Sequence, residues 1–183
     1  MIMTTTSDTS PVQSAPSNEG MFFEDFEVGR IYAHRMGRTM IEADNAWLTL
    51  LALGINQVHF NDYYSAQTPF KKPIIASPFT LAVVTGLSAA EFGLNTMANL
   101  GWNEVKLPHP VFVGDTIYAR SKVTGKRESA SRPYAGIVNL DTEGFNQDGI
   151  IVMTFSRNLM AYKRGHAPSA HLPVPVGSTM VAS

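Results

Sequence analysis

The sequence predicts an α+β fold in which an antiparallel sheet wraps around one buried helix. Three observations predict it. Within "SPFTLAVVTGLSAAEFG", residues 79–90 are apolar or small on every side of a helical wheel, and a helix of that kind is buried all round. Four runs of strand character follow: "TMANLGWNEVKL", "VGDTIYARSKVTGK", "YAGIVNLDTEGFN" and "IIVMTFSRNLMAY". No internal repeat separates them, so one sheet and one helix share a single core.

Each element has its own signal. Val28-Gly29 marks a turn, and a short strand follows over residues 31–38. Thr39 stands three residues before Glu42, the spacing of a capping box, so a helix should run over residues 40–53. Trp47, Leu50 and Leu51 should face inward, and Gly54 should end it. A second, short helix is expected over residues 62–67, started by Asn61 or Asp62. Ser77 is placed to cap the long apolar helix, Pro78 suits its first turn, and Gly93 closes it. In the second long strand, Ile117, Ala119, Ser121 and Val123 form a covered row against Tyr118, Arg120 and Lys122 on a wet one. "NQDG" joins the last two strands as a hairpin turn. A sheet of this kind leaves open edges, which dimerisation would cover.

Composition narrows the partners. At 183 residues, 44% hydrophobic and 16% charged, the chain fits one globular domain. A formal charge of −1, with basic residues single or paired, argues against nucleic acid, which demands a clustered basic face. The absence of cysteine removes disulfides, thiol nucleophiles and thiolate metal sites. "WLTLLALGI" and "FTLAVVTGL" are too short to cross a bilayer, so no membrane role is expected. Residues 1–20 carry no Lys or Arg and no apolar block, and read as a disordered tail, not a leader. Residues 165–183 read alike, which leaves residues 21–164 as the folded part and a cytoplasmic placement as the expectation.

Chemistry centres on "GINQVHFND". A histidine between Val58 and Phe60 is, taken alone, more often packing than catalyst. The position of His59 after a helix-ending glycine and beside Asn56 favours function, because an imidazole titrates near neutrality and can take and return a proton. The start of the apolar helix offers the other half of a mechanism: unpaired N–H groups and partial positive charge, suited to a developing oxyanion. Lys126, Arg127 and Arg132 flank the loop "KRESASRP". They are either a solvated hairpin edge or a grip on phosphates or a carboxylate. The five histidines show no metal-ligand spacing, and no G-x-S-x-G, P-loop or G-x-G-x-x-G occurs.

Three separated blocks, "GINQVHFND", "KPIIASPFTLAVVTGL" and "VKLPHPVFVGD", resemble the MaoC-type, or R-specific, enoyl-CoA hydratases in order and spacing, over about residues 23–164. "KRESASRPYAGIV" further resembles a subgroup acting on mesaconyl-CoA and related branched acids. The resemblance implies a single hot-dog fold, an acyl-CoA substrate, reversible hydration of an enoyl thioester, and a homo-oligomer, either a dimer or a trimer of dimers. It implies no metal or redox cofactor, coenzyme A being part of the substrate. The family's segment reads D-x-N-P-x-H. Its histidine falls on His59 as general acid/base and its asparagine on Asn56 as water-orienting group, while Gly54 stands at the aspartate and Gln57 at the proline. The Ser77 N–H matches the oxyanion donor, and Thr85 and Gly86 match a serine-glycine pair near the acyl pocket.

Gly54 has no side chain to act as a base. Either His59 works alone with Asn56 holding water, or a distant carboxylate folds in, or the hydratase chemistry is gone. Two rival functions therefore stand beside the hydratase: a hot-dog acyl-CoA thioesterase and a non-catalytic acyl-CoA-binding paralogue.

Overall fold

The computed structural model describes residues 20–168. The two tails expected at the ends lie, for residues 1–19 and 169–183, outside the described residues. In chain order the elements are β1 (Ile31–Ala33), β2 (Arg38–Thr39), α1 (Glu42–Leu51), α2 (Asp62–Ser65), α3 (Ser77–Phe92), β3 (Thr96–Lys106), β4 (Thr116–Glu128), β5 (Ala135–Phe145) and β6 (Ile151–Tyr162). The sheet runs β1-β4-β5-β6-β3, with β2 also paired to β4, and every pairing is antiparallel.

The four long strands form where their alternation predicts. Ile117, Ala119, Ser121 and Val123 are buried and face α3, as expected. β6 does the same with Met153, Phe155, Arg157, Leu159 and Ala161. At the β5–β6 turn, Asn146 Oδ1 accepts from the N–H groups of Asp148 (3.1 Å) and Ile150 (2.9 Å). Gly149 takes the positive φ of 76° that this turn requires. The apolar core lies along α3 in two halves. Phe79, Val84 and Leu87 pack with Ile117, Val152 and Phe155 near its start. Phe92 packs with Phe26, Tyr32, Val138 and Leu159 near its end. This is the hot-dog arrangement, sheet around helix.

Several local expectations are corrected. The strand expected over residues 31–38 breaks into β1 and β2, which pair with separate stretches of β4. Thr39 forms no capping box: it lies in β2, with its hydroxyl 2.8 Å from that of Thr116, and Ile41 is the N-cap of α1 without a side-chain bond. Ser77 is likewise the first residue of α3 and not its cap; Ala76 holds that position, again with no side-chain bond. Helix α1 shows its other face to the core. Trp47 (76% exposed), Leu50 (54%) and Leu51 (76%) point outward, while Asn45 and Thr49 are buried. Asn45 takes the inner position because three backbone groups below it need its amide, as described below. The helix ends at Leu51 with Ala52 as its C-cap, and Leu53, not Gly54, adopts the left-handed φ of 59°. Nor is α3 buried all round. Ala82, Gly86, Ala89 and Ala90 are exposed, and a Cβ on Gly86 would meet nothing within 4 Å.

A polar seam crosses the core. His34 Nδ1 lies 2.7 Å from Glu91 Oε2, and its Nε2 lies 3.0 Å from Ser121 Oγ, itself 2.9 Å from Thr142 Oγ1. Burial holds His34 below the usual imidazole range and outweighs the opposing pull of Glu91. The ring is therefore neutral, donating from Nδ1 and accepting the Ser121 hydroxyl at Nε2.

Candidate active site

The segment between α1 and α3 carries the catalytic candidates, and its own hydrogen bonds shape it. Asn56 Oδ1 accepts from the Val58 N–H (3.2 Å) and so caps a single 3-10 turn over Gln57–His59. Asn61 caps α2 in the same way, accepting from the Tyr64 N–H at 3.0 Å. Ile74 then returns beside this turn, donating its N–H to Val58 O at 3.1 Å. Three residues after Ile74 the chain enters α3.

His59 is half-buried. Its Nδ1 lies 3.0 Å from Ile74 O. A carbonyl only accepts, so the proton sits on Nδ1 and the lone pair of Nε2 is free to take one from elsewhere. Asn45 makes this placement rigid. Fully buried, it donates from Nδ2 to the carbonyls of His59 (2.7 Å) and Ile74 (3.1 Å), and its Oδ1 accepts from the Ala76 N–H (2.9 Å). One side chain thus ties the histidine turn to the first residues of α3.

At that helix start, the Ser77 N–H has no acceptor among the described residues, and Pro78 has no N–H to offer. Ser77 is exposed. A hydrogen-bond donor at a helix N-terminus, three residues from the carbonyl that holds His59, can stabilise negative charge on a carbonyl oxygen while the imidazole moves a proton.

The other predicted residues are placed as follows. Asn56 lies three residues before His59, exposed, with its oxygen engaged in the cap. Thr85 and Gly86 lie two turns further along α3: Thr85 Oγ1 accepts from Trp102 Nε1 (3.3 Å), and Gly86 faces open space. Lys126 belongs to the opposite end of the molecule. Its Nζ donates to the carbonyls of Phe23 (3.4 Å) and Glu24 (3.2 Å), beside the core half that surrounds Phe92. Arg127 donates to Glu128 O at 3.3 Å, and Arg132 is exposed in the following loop. The sixteen residues of α3 separate the two ends by ~24 Å, so within one chain these three cations do not converge on His59. No carboxylate is hydrogen-bonded to His59 among the described residues. Asp44 is instead paired with Arg38 in the first turn of α1.

Sequence reasoning missed Asn45. Its signal was present as a polar residue four positions before Thr49, both on the face that turns inward. No group of His, Asp or Glu suited to a metal ion occurs among the described residues, and no helix there is long and apolar enough to cross a membrane.

Comparison with known proteins shows the family. Residues 25–143 match the model of the MaoC like domain. A mesaconyl-CoA hydratase of Cereibacter sphaeroides is 32% identical over 86% of this chain and 46% of its own length. An (R)-specific enoyl-CoA hydratase of Aeromonas caviae is 28% identical over 73% of this chain and 94% of its own length. A solved MaoC domain protein from Chloroflexus aurantiacus superposes with a TM-score of 0.76 at 31% identity, over 88% of this chain and 46% of that one. The chain thus spans about half the length of the longer relatives and most of the shorter one. With more than half of its residues under the family model, and with the sheet wrapped around the helix, this chain belongs to the MaoC-like domain family.

Proposed function

We propose that this domain reversibly adds water across the double bond of an enoyl-CoA thioester, with a short branched acyl group of the mesaconyl type as its preferred class. One observation carries the reading: His59, its Nδ1–H fixed on Ile74 O, offers Nε2 as a base beside a helix start whose Ser77 N–H is unpaired. In the forward direction the water oxygen bonds to the β-carbon as its proton passes to His59 Nε2. The electron pair of the double bond moves to the thioester oxygen, where the Ser77 N–H holds the enolate. His59 then returns the proton at the α-carbon. Asn56 orients the water through its amide nitrogen. The named activities of the two curated relatives support the substrate class, and coenzyme A enters only as part of the substrate.

The test is loss of the enoyl-thioester absorbance over crotonyl-CoA and mesaconyl-CoA. Wild type should turn over, and His59→Ala should fall by about 10²–10⁴-fold, the worth of one general acid/base. Release of free thiol from saturated acyl-CoA without hydration would instead establish a thioesterase. Gly54 favours a second reading, a domain that binds acyl-CoA and does not turn it over. Tight binding with no hydration by wild type would establish that one. The exposed small-residue face of α3 and the outer edge of β3 support assembly with a second copy.

A further inference from the structure

The inward row of β6 reads Met153, Phe155, Arg157, Leu159, Ala161, one cation among apolar side chains. Arg157 is 3% exposed. It takes part in none of the ion pairs among the described residues. Its one hydrogen bond runs from Nη2 to Ser88 Oγ, whose own proton goes to Thr85 O. Nε is buried with no partner. The carboxylate of the polar seam, Glu91, is already engaged by His34 Nδ1 and by the Arg35 N–H. Burial alone lowers the Arg157 guanidinium to about 10, which leaves it charged at neutral pH. A buried charge without a counter-charge is among the more destabilising features a core can hold.

Arg157 also lines a pocket of about 250 Å³, walled by Thr85 and Ala89 of α3, Ala98 and Asn99 of β3, and Leu159 of β6. At the ~30 Å³ that a water occupies in the liquid, this holds roughly eight non-hydrogen atoms. Apart from Arg157, its walls are small, apolar or neutral, and none carries a negative charge. We propose that this pocket binds a carboxylate borne on a short apolar chain, with Arg157 as its counter-charge and Ala89, Ala98 and Leu159 against the hydrocarbon. Ser88, which Arg157 touches, lies eleven residues along α3 from Ser77, or ~16 Å. A four- or five-carbon acyl group held at Ser77 does not reach that far. The carboxylate therefore belongs either to a second small molecule or to the far end of a long acyl chain running past Thr85, and in the second case the site rests on the hydratase reading.

Trp102 reports on it, since its indole donates to Thr85 on the pocket wall. In a Trp47→Phe background, Trp102 is the one remaining tryptophan. Its fluorescence should change saturably with sodium butyrate, valerate or glutarate and not with butyramide. Affinity should fall about ten- to a hundredfold in Arg157→Met, as expected for loss of a charge-assisted hydrogen bond. Arg157→Met should keep or raise the melting temperature, because a hydrophobic isostere removes the unpaired charge. Ala89→Met, which fills the pocket and leaves Arg157 in place, provides a second variant and should weaken binding as well. Free acids that bind identify a separate ligand. If only a long ω-carboxyacyl-CoA binds, with a KM raised by Arg157→Met, the carboxylate is the substrate's own. An absence of saturation by any of these carboxylates, or equal affinity in Arg157→Met, would overturn the proposal, whatever the hydration assay gives.

Discussion

Replacing Asn45 by alanine tests whether one buried amide holds the candidate site together. The side chain makes three hydrogen bonds, at 2.7, 3.1 and 2.9 Å. Ile74 O would keep a donor, because His59 Nδ1 also bonds it. The His59 carbonyl and the Ala76 N–H would lose the partner that Asn45 supplies. Each orphaned group costs about 1–3 kcal/mol when it stays dry, and water entering the vacated space recovers part of that, so the net loss should be about 2–4 kcal/mol. For a chain of this size that corresponds to a melting temperature lower by roughly 4–16 °C. Chemical denaturation would give the free energy through its midpoint at constant slope. Because the same bonds set the distance between His59 and the Ser77 N–H, kcat should fall further than KM rises, at a temperature where the variant is still folded. A stability loss below about 1 kcal/mol, together with unchanged kcat, would refute the claim that Asn45 positions the site.

Three further outcomes are expected. Burial lowers the proton affinity of His34 in the folded state, so the unfolded chain binds the extra proton first; stability is full above the unfolded value of 6.5 and should decline as pH falls below it. Denaturation midpoints measured from pH 7.5 to 5 would check this, and His34→Gln should flatten the profile; a midpoint that rises on acidification contradicts it. Gly144→Ala would set a Cβ 2.5 Å from Val84 Cγ2, where β5 crosses α3, and should destabilise by about 1–3 kcal/mol by thermal melting. Gly54→Asp would place its Cβ 2.8 Å from Thr49 Cγ2 and 3.0 Å from Thr49 O, so the single variant should melt below wild type. Combined with Thr49→Ala, which also removes a buried unpaired hydroxyl, it should recover stability, and its hydration rate should exceed that of wild type.

The α+β class, the four long strands, the covered row of β4, the hairpin turn and the extent of the apolar helix were all legible in the sequence. They are set by alternation, by helical periodicity and by turn chemistry, which act between residues a few positions apart. The histidine turn was legible too, through the asparagine that caps it. What the sequence could not reveal was which face of α1 turns inward. Hydrophobicity assigned Trp47, Leu50 and Leu51 to the core, yet the inner position went to Asn45, because its amide meets three backbone groups brought there by distant segments, two of which have no other partner. The same holds for His34, buried against Glu91 and Ser121, and for Arg157 within an apolar row. In each case burial depends on hydrogen bonds and charges that meet only after the sheet closes on α3, and a polar residue's partners, unlike an apolar residue's period, leave no mark in its neighbours along the chain.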